Sequence, residues 1–172
     1  IVSEAEGLIV MEPWKGITVA TLSRRQVSDF YAYREMIEGL AAEMAARVIT
    51  EGEIEGLDAI LLQLEEGRDQ TGSELANVNE QFHKMIFDIS ANRFLNQSLE
   101  VINTAKILIW KPVYPTHKRW EEAQQEHRKL LDALRARDPV AAKAAAQQHV
   151  RSAGLTRVAA MVSEELEADN PQ

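Results

Sequence analysis

Three of the four histidines, His83, His127 and His149, lie on the apolar faces of three different predicted helices. Neutral imidazole is a common ligand of Zn²⁺, Ni²⁺ and similar ions, and three imidazoles leave coordination positions open for water or an exogenous ligand. Asn79 precedes His83 by one helical turn, so its amide oxygen is a candidate fourth donor. The spacing therefore predicts a divalent metal site, whereas His117 lies in a proline-flanked loop and is expected to face solvent.

The same three histidines also fit a purely structural role. A single histidine on an apolar face is usually a core residue whose polar atoms are hydrogen-bonded. Three of them on three helices are harder to explain as separate core residues, but their spacing alone does not demand an ion. A metal-free interaction bundle with three buried histidines is therefore one alternative.

Arg34 is the second residue whose position indicates chemistry. It lies between Phe30 and Ile37 on the core-facing side of the first predicted helix, where a buried guanidinium needs a partner. That partner is either Glu38, one turn further along the helix, or the carboxylate of a bound ligand. A third possibility is a buried stem whose charged end reaches the surface.

Catalytic motifs are scarce, so we expect a protein that is not an enzyme. Glu80 and His83 form one Glu-x-x-His motif, but a di-iron bundle needs a second copy and two more glutamates. There is no His-Glu-x-x-His, no phosphate-binding glycine loop, no Gly-x-Ser-x-Gly and no cysteine. The alternative is a metal-dependent helical enzyme acting on a small carboxylate. Its general base would have to be Glu80 or Glu126, both of which are expected to point outward.

The composition is that of a folded helical domain with an acidic surface. Of 172 residues, 45% are hydrophobic and 27% are charged, and the formal net charge is −8. These values exclude a disordered chain and make the chain as a whole a poor binder of nucleic acid. The lack of cysteine fits a cytoplasmic protein, and no apolar run is long enough for a membrane span.

Capping signals divide most of the chain into six predicted helices. Ser23 is a helix cap, Thr50 begins a capping box, and Asp138 with Pro139 is a strong helix start. The predicted helices cover about residues 23–49, 50–66, 73–90, 92–111, 118–137 and 138–167. Six helices joined by short loops predict an all-α antiparallel bundle.

Residues 1–22 have a different pattern from the rest. Two short β-branched runs flank Pro13–Gly16, which predicts a β-hairpin. A lone hairpin is marginally stable in water, so we expect it to belong to a further domain upstream of Ile1. The predicted division is therefore 1–22 as a remnant of that domain and 23–172 as the helical domain.

Several of these motifs together resemble the FCD domain, the ligand-binding C-terminal domain of GntR-type transcription regulators of the FadR subfamily. The resemblance covers about residues 22–150. It rests on the order and spacing of Arg34-x-x-x-Glu38 with Ala41-Ala42, Asn79-x-x-Phe82-His83 with Asn92, Glu126-His127-Arg128, Ala136-Arg-Asp-Pro139 and His149.

The resemblance implies a cytoplasmic, dimeric repressor that binds a small organic acid and thereby alters its affinity for operator DNA. The hairpin is then the wing of a winged helix-turn-helix domain whose recognition helix lies upstream. The implied metal ligands are Asn79, His83, His127 and His149, and Arg34 is implied to bind the effector. Many members have Asp where this chain has Asn79, so the charge of the ion would be left to an anionic effector.

Overall fold

The computed structural model describes residues 9–12, 16–19, 22–67, 72–109 and 117–168. Within these ranges the chain forms six α-helices, which confirms the predicted all-α bundle. They are α1 (Arg24–Val48), α2 (Glu51–Glu66), α3 (Gly72–Ile89), α4 (Arg93–Ile109), α5 (His117–Arg135) and α6 (Pro139–Ala168). His117, predicted in a loop, is the first residue of α5.

The described part of the N-terminal region consists of two short strands, β1 (Ile9–Glu12) and β2 (Gly16–Val19). They pair antiparallel, with Ile9 opposite Val19 and Glu12 opposite Gly16. Of the predicted tip, residues 13–15 lie outside the described residues, and Gly16 is the first residue of β2. The assignment of this strand pair to a winged-helix domain stays a prediction.

The predicted caps begin three of the helices. The Ser23 hydroxyl accepts from the backbone N–H of Gln26, and the Gln26 side chain accepts from the N–H of Ser23. Thr50 and Glu53 form the same reciprocal pair at the start of α2. Asp138 accepts from two backbone N–H groups in the first turn of α6. These bonds set where each helix starts and therefore which residues face the core.

The two long helices, α1 and α6, run antiparallel in close contact. Gly39 and Gly154 permit this approach, because a Cβ atom at Gly39 would lie 2.7 Å from Gln147 and one at Gly154 would lie 2.8 Å from Tyr31. Alanines on the facing sides, including Ala42 and several others at 0% exposure, keep the two backbones near each other. Residues on these helices are therefore held in a well-defined mutual register.

The apolar core has two parts. The larger cluster joins α2, α3, α5 and α6 with the C-terminal half of α1, and a smaller one joins α1 and α4 around Phe87. The larger cluster includes residues within one helical turn of each predicted histidine, namely Phe82 on α3, Leu130 on α5 and Ala146 on α6. None of the described helices is both long and apolar enough to cross a bilayer.

Candidate metal centre

His83, His127 and His149 meet at one point inside the bundle. One ring nitrogen from each lies within 4.8 Å of the others. The ring centroids are 5.5 Å apart for His83 and His127, 5.1 Å for His83 and His149, and 4.3 Å for His127 and His149. All three residues are buried. The structure therefore brings together the three histidines that the sequence placed on separate apolar faces.

Helix periodicity positions each imidazole. On α3, His83 follows Phe82, which is fully buried, and precedes the buried Ile86 by one turn. On α5, His127 lies one turn before Leu130 and Leu131, and both leucines are buried in the larger core cluster. Because residues three and four apart share a helix face, these apolar anchors turn the histidines toward the bundle interior.

Two carboxylates contact the imidazoles of His83 and His149. The Nδ1 atom of His83 lies 3.2 Å from Oε2 of Glu38 on α1, and Nδ1 of His149 lies 2.9 Å from Oε2 of Glu126 on α5. Glu38 is 5% exposed and the Glu126 side chain is 15% exposed. His127 has no such contact among the described residues.

An arginine holds each of these carboxylates in turn. Arg34 donates from Nε and Nη2 to Oε1 of Glu38, both at 2.7 Å. Arg119 donates to both oxygens of Glu126, at 3.1 and 2.8 Å. Bidentate and buried charge pairs of this kind restrict the carboxylate to one orientation.

The ionisation states follow from burial and these pairs. Burial opposes ionisation of Glu38, but Arg34 and the contact with His83 outweigh it and hold the pKa of Glu38 well below its usual range. Burial likewise opposes ionisation of Glu126, yet hydrogen bonds from His149 and Arg119 lower its pKa to about 2. Both carboxylates are therefore charged at neutral pH.

The histidines show the opposite balance. Burial lowers the pKa of His83 to about 4 against the attraction of Glu38, and burial lowers the pKa of His127 well below its usual value. Both rings are neutral near pH 7 and carry a free lone pair, which is the form that binds metal ions.

Three ring nitrogens of this cluster are buried without a hydrogen-bond partner among the described residues: Nε2 of His83 and both nitrogens of His127. Leaving buried polar atoms unpaired costs about 1–3 kcal/mol each. A cation bound between the rings would satisfy Nε2 of His83 and one of the two nitrogens of His127, so the donor set fits a divalent metal ion. Imidazole nitrogens are the ligands that Zn²⁺, Ni²⁺ and related ions accept.

The remaining predicted site residues have different surroundings. Asn79 is half-buried on α3, one turn before His83, and its role as a ligand stays a prediction. Arg34 forms an ion pair with Glu38, one of the two partners that the sequence left open. Its role in effector binding stays a prediction.

Sequence reasoning misplaced one residue near the cluster, Glu126, and missed two others, Arg119 and Lys106. Glu126 was expected to point outward, and this was wrong, because it contacts His149. Arg119 lies two turns before Glu126, a spacing that shares one helix face and was a usable signal. Lys106 on α4 had no signal, since nothing in its neighbourhood in the sequence indicates a site. Glu80, also expected outward, is 45% exposed.

Lys106 adds positive charge to this region. Its side chain is 19% exposed and its Nζ atom lies 3.8 Å from Glu80, a loose contact. It is close enough to Glu38 and His83 to influence the pKa of both groups. Burial, together with the charge of Arg34, lowers the pKa of Lys106.

Comparison with known proteins identifies one family and several relatives. The FCD domain family matches residues 29–152. The chain is 30% identical over 154 residues to the uncharacterized HTH-type transcriptional regulator YdhC of Bacillus subtilis (strain 168), covering 86% of this chain and 65% of that protein. It is 27% identical over 141 residues to the Nta operon transcriptional regulator of Aminobacter aminovorans, covering 80% and 65%. The chain thus spans just under two thirds of the length of these two curated relatives.

Solved structures share the fold. McbR/YncC of E. coli superposes with a TM-score of 0.79 at 19% identity, covering 90% of this chain and 78% of that one. A GntR-family regulator from Pseudomonas syringae pv. tomato str. DC3000 gives 0.72 at 19% identity, covering 96% and 69%. GntR of Streptococcus agalactiae gives 0.66 at 21% identity, covering 89% and 77%. At these identities the likeness supports the fold alone.

Proposed function

The chain belongs to the FCD domain family, and we propose that it is the effector-sensing part of a DNA-binding transcription regulator. The observation that carries the proposal is the buried cluster of His83, His127 and His149, whose unpaired nitrogens fit a divalent cation. The named relatives are transcriptional regulators, which favours this function over a metal-dependent enzyme.

The residues that would hold the ion are the three histidines together with Asn79. A bound divalent cation would supply positive charge and open coordination positions to an exogenous ligand. The chain contributes the orientation of the rings through Glu38 and Glu126. It also excludes bulk water from the cluster, because all three histidines are buried.

The charges around the cluster favour an anionic effector. None of the four proposed ligands brings a negative charge. Arg34 is balanced by Glu38 and Arg119 by Glu126, whereas Lys106 has only its loose contact with Glu80 as a carboxylate partner among the described residues. In a site shielded from water, uncompensated positive charge attracts an anion far more strongly than it would at the surface. A small carboxylate is therefore the proposed effector.

Calorimetry on the chelator-stripped protein tests this function. We expect Zn²⁺ or Ni²⁺ to bind at one ion per chain, and mono- and dicarboxylates to bind only to the metal-loaded form. His127→Ala should abolish both binding events, and the matched control Gln148→Ala, an exposed neighbour of His149, should change neither. Acid binding that survives complete metal removal would contradict metal-dependent sensing.

Signal transmission is proposed to run through α1. This helix begins at Arg24, shortly after the strand pair, and its Glu38 contacts His83 in the cluster. Any ligand that moves His83 therefore acts directly on the helix that follows the N-terminal strands in the sequence. Such coupling is bounded by the difference in ligand affinity between the two states, typically about 1–3 kcal/mol.

Operator DNA is proposed to be bound by a winged helix-turn-helix domain N-terminal to this chain, with β1 and β2 as its wing. Such a regulator works in the cytoplasm, where the DNA is. Regulators that recognise two half-sites are commonly two-fold dimers. We therefore also propose a homodimer.

Exposed apolar residues on two neighbouring helices fit the dimer interface. On α1, Tyr33, Met36 and Leu40 repeat at helical spacing and are 38%, 63% and 39% exposed. On α4, Phe94 and Val101 are 67% and 59% exposed and lie two turns apart. We call these five residues the α1–α4 apolar face. Helices α1 and α4 pack together through the smaller core cluster, so these side chains lie on adjacent helices.

A further inference from the structure

The histidine cluster is supported by two hydrogen-bonded chains of side chains, each made of an arginine, a glutamate and a histidine. Arg34, Glu38 and His83 form one, and Arg119, Glu126 and His149 form the other. In each chain an arginine holds a glutamate, and that glutamate contacts Nδ1 of the histidine. Each set of three side chains also links two helices, α1 with α3 in the first case and α5 with α6 in the second.

The contacts decide where the imidazole proton resides. A carboxylate held in an ion pair with arginine has only acceptor atoms, so the imidazole nitrogen that faces it must carry the proton. In both chains that nitrogen is Nδ1. In a neutral ring the lone pair is then on Nε2, and in His83 this atom is buried with no partner among the described residues.

We propose that Glu38 and Glu126 are positioning residues that hold His83 and His149 as the Nδ1-protonated tautomer, with Nε2 free for a cation. Arg34 and Arg119 hold the two carboxylates in place. This inference rests on the proposed function for its purpose, but the tautomer itself is a property of the metal-free protein. Carboxylates that bond the second nitrogen of a ligating histidine fix its orientation and raise its basicity.

The third histidine lacks this support. No described residue bonds either nitrogen of His127, and both atoms are buried. The two supported rings therefore form the rigid part of the cluster, and His127 is free to offer either nitrogen. It serves as an internal comparison, since no carboxylate sets its tautomer.

Long-range ¹⁵N–¹H correlation spectra of the metal-free protein test the proposal directly. We expect His83 and His149 to show a protonated Nδ1 and an unprotonated Nε2. A protonated Nε2 on either ring would overturn the assignment for that chain. This readout needs no metal, so it separates the positioning role from the metal-binding function.

Zinc affinities of three variants complete the test. Glu38→Gln and Glu126→Gln should each weaken zinc binding by about 10–100-fold, the usual effect of losing such a partner. Glu43→Gln removes a carboxylate that also pairs across helices, with Lys143, but touches none of the three histidines, and should leave the affinity unchanged. Because Glu38 is deeply buried, Glu126→Gln is the decisive variant if Glu38→Gln fails to fold.

The possible outcomes are distinguishable. Wild-type zinc affinity in Glu126→Gln, with normal folding, overturns the positioning role while leaving metal-dependent sensing intact. Absence of zinc binding in the wild-type protein defeats the proposed function, and the tautomers of His83 and His149 still decide the positioning role.

Discussion

Two buried imidazoles of the cluster, His83 and His127, stay neutral in the fold. Because the unfolded chain can protonate them, their neutral state lowers the free energy of unfolding at acid pH. In the metal-free protein, burial lowers the pKa of His83 from 6.5 to about 4. Between these values the unfolded chain takes up a proton that the folded chain does not. The free energy of unfolding must therefore decrease as pH falls through this window.

We predict that the metal-free domain loses roughly 3 kcal/mol of stability from His83 between pH 6.5 and 4, since one pKa unit is worth about 1.4 kcal/mol. Further loss below about pH 4.5 comes from Glu38, whose lowered pKa stabilises the fold only while the carboxylate is ionised. Urea unfolding at a series of pH values measures both effects. A flat profile between pH 7 and 5 would contradict the neutral state of His83.

Arg34 combines a structural contact with a proposed binding role. Arg34→Ala removes the partner of the buried Glu38 and should destabilise the domain by about 3–5 kcal/mol, the usual cost of an unpaired buried charge. If Arg34 also binds the effector, the acid affinity of the folded variant should fall by about 2–5 kcal/mol. Denaturation and calorimetry on the same preparation separate the two effects. Unchanged acid affinity would remove Arg34 from the effector site.

Among the helices, the close contact between α1 and α6 depends on glycines, which have no side chain. A Cβ at Gly154 would lie 2.8 Å from Cγ and 2.9 Å from Cβ of Tyr31. These atoms are close to the Tyr31 backbone and have little freedom to move. Tyr31 also stacks near Arg34, with the guanidinium 5.1 Å from the ring centre. A change in helix spacing here therefore reaches the candidate site.

We predict that Gly154→Ala destabilises the domain by about 1–3 kcal/mol through overpacking. Gly52→Ala is the matched control, because a Cβ at this helical position has nothing within 4 Å, and it should be neutral or stabilising by up to about 1 kcal/mol. Thermal unfolding of both variants measures the difference. Equal stability of the two would mean that α1 and α6 tolerate a wider separation than the structure shows.

At the scale of the whole molecule, the α1–α4 apolar face is expected to be covered by a second copy of the chain. Met36→Glu places a charge within this face, at a side chain that is 63% exposed, and should shift the protein toward a monomer. Leu62→Glu, at a 48% exposed position on α2, is the control and should leave the oligomer unchanged. Light scattering reports the mass against 19.3 kDa for one chain. A wild-type monomer at micromolar concentration would count against the dimer.

The helical architecture could be predicted from the sequence, because the signals for it are local. Ser23, Thr50 and Asp138 cap helices with side chains that bond their own next turn, and the structure has helices starting directly after each of them. The apolar faces that carry His83 and His127 were equally visible, since helical periodicity needs no knowledge of the neighbouring helix.

Which side chains meet depends on how the helices pack. The convergence of three histidines depends on how α3, α5 and α6 rotate and pack, and no spacing along the chain contains that information. The same holds for Glu126, whose expected outward position was wrong because α6 packs against α5 and brings His149 to its carboxylate. For Arg34 the sequence left two partners open, and the buried contact with Glu38 is the one the fold forms. The imidazole of His83 is shielded from water only when these helices pack around it. Its neutral state is a consequence of that burial, which lowers its pKa.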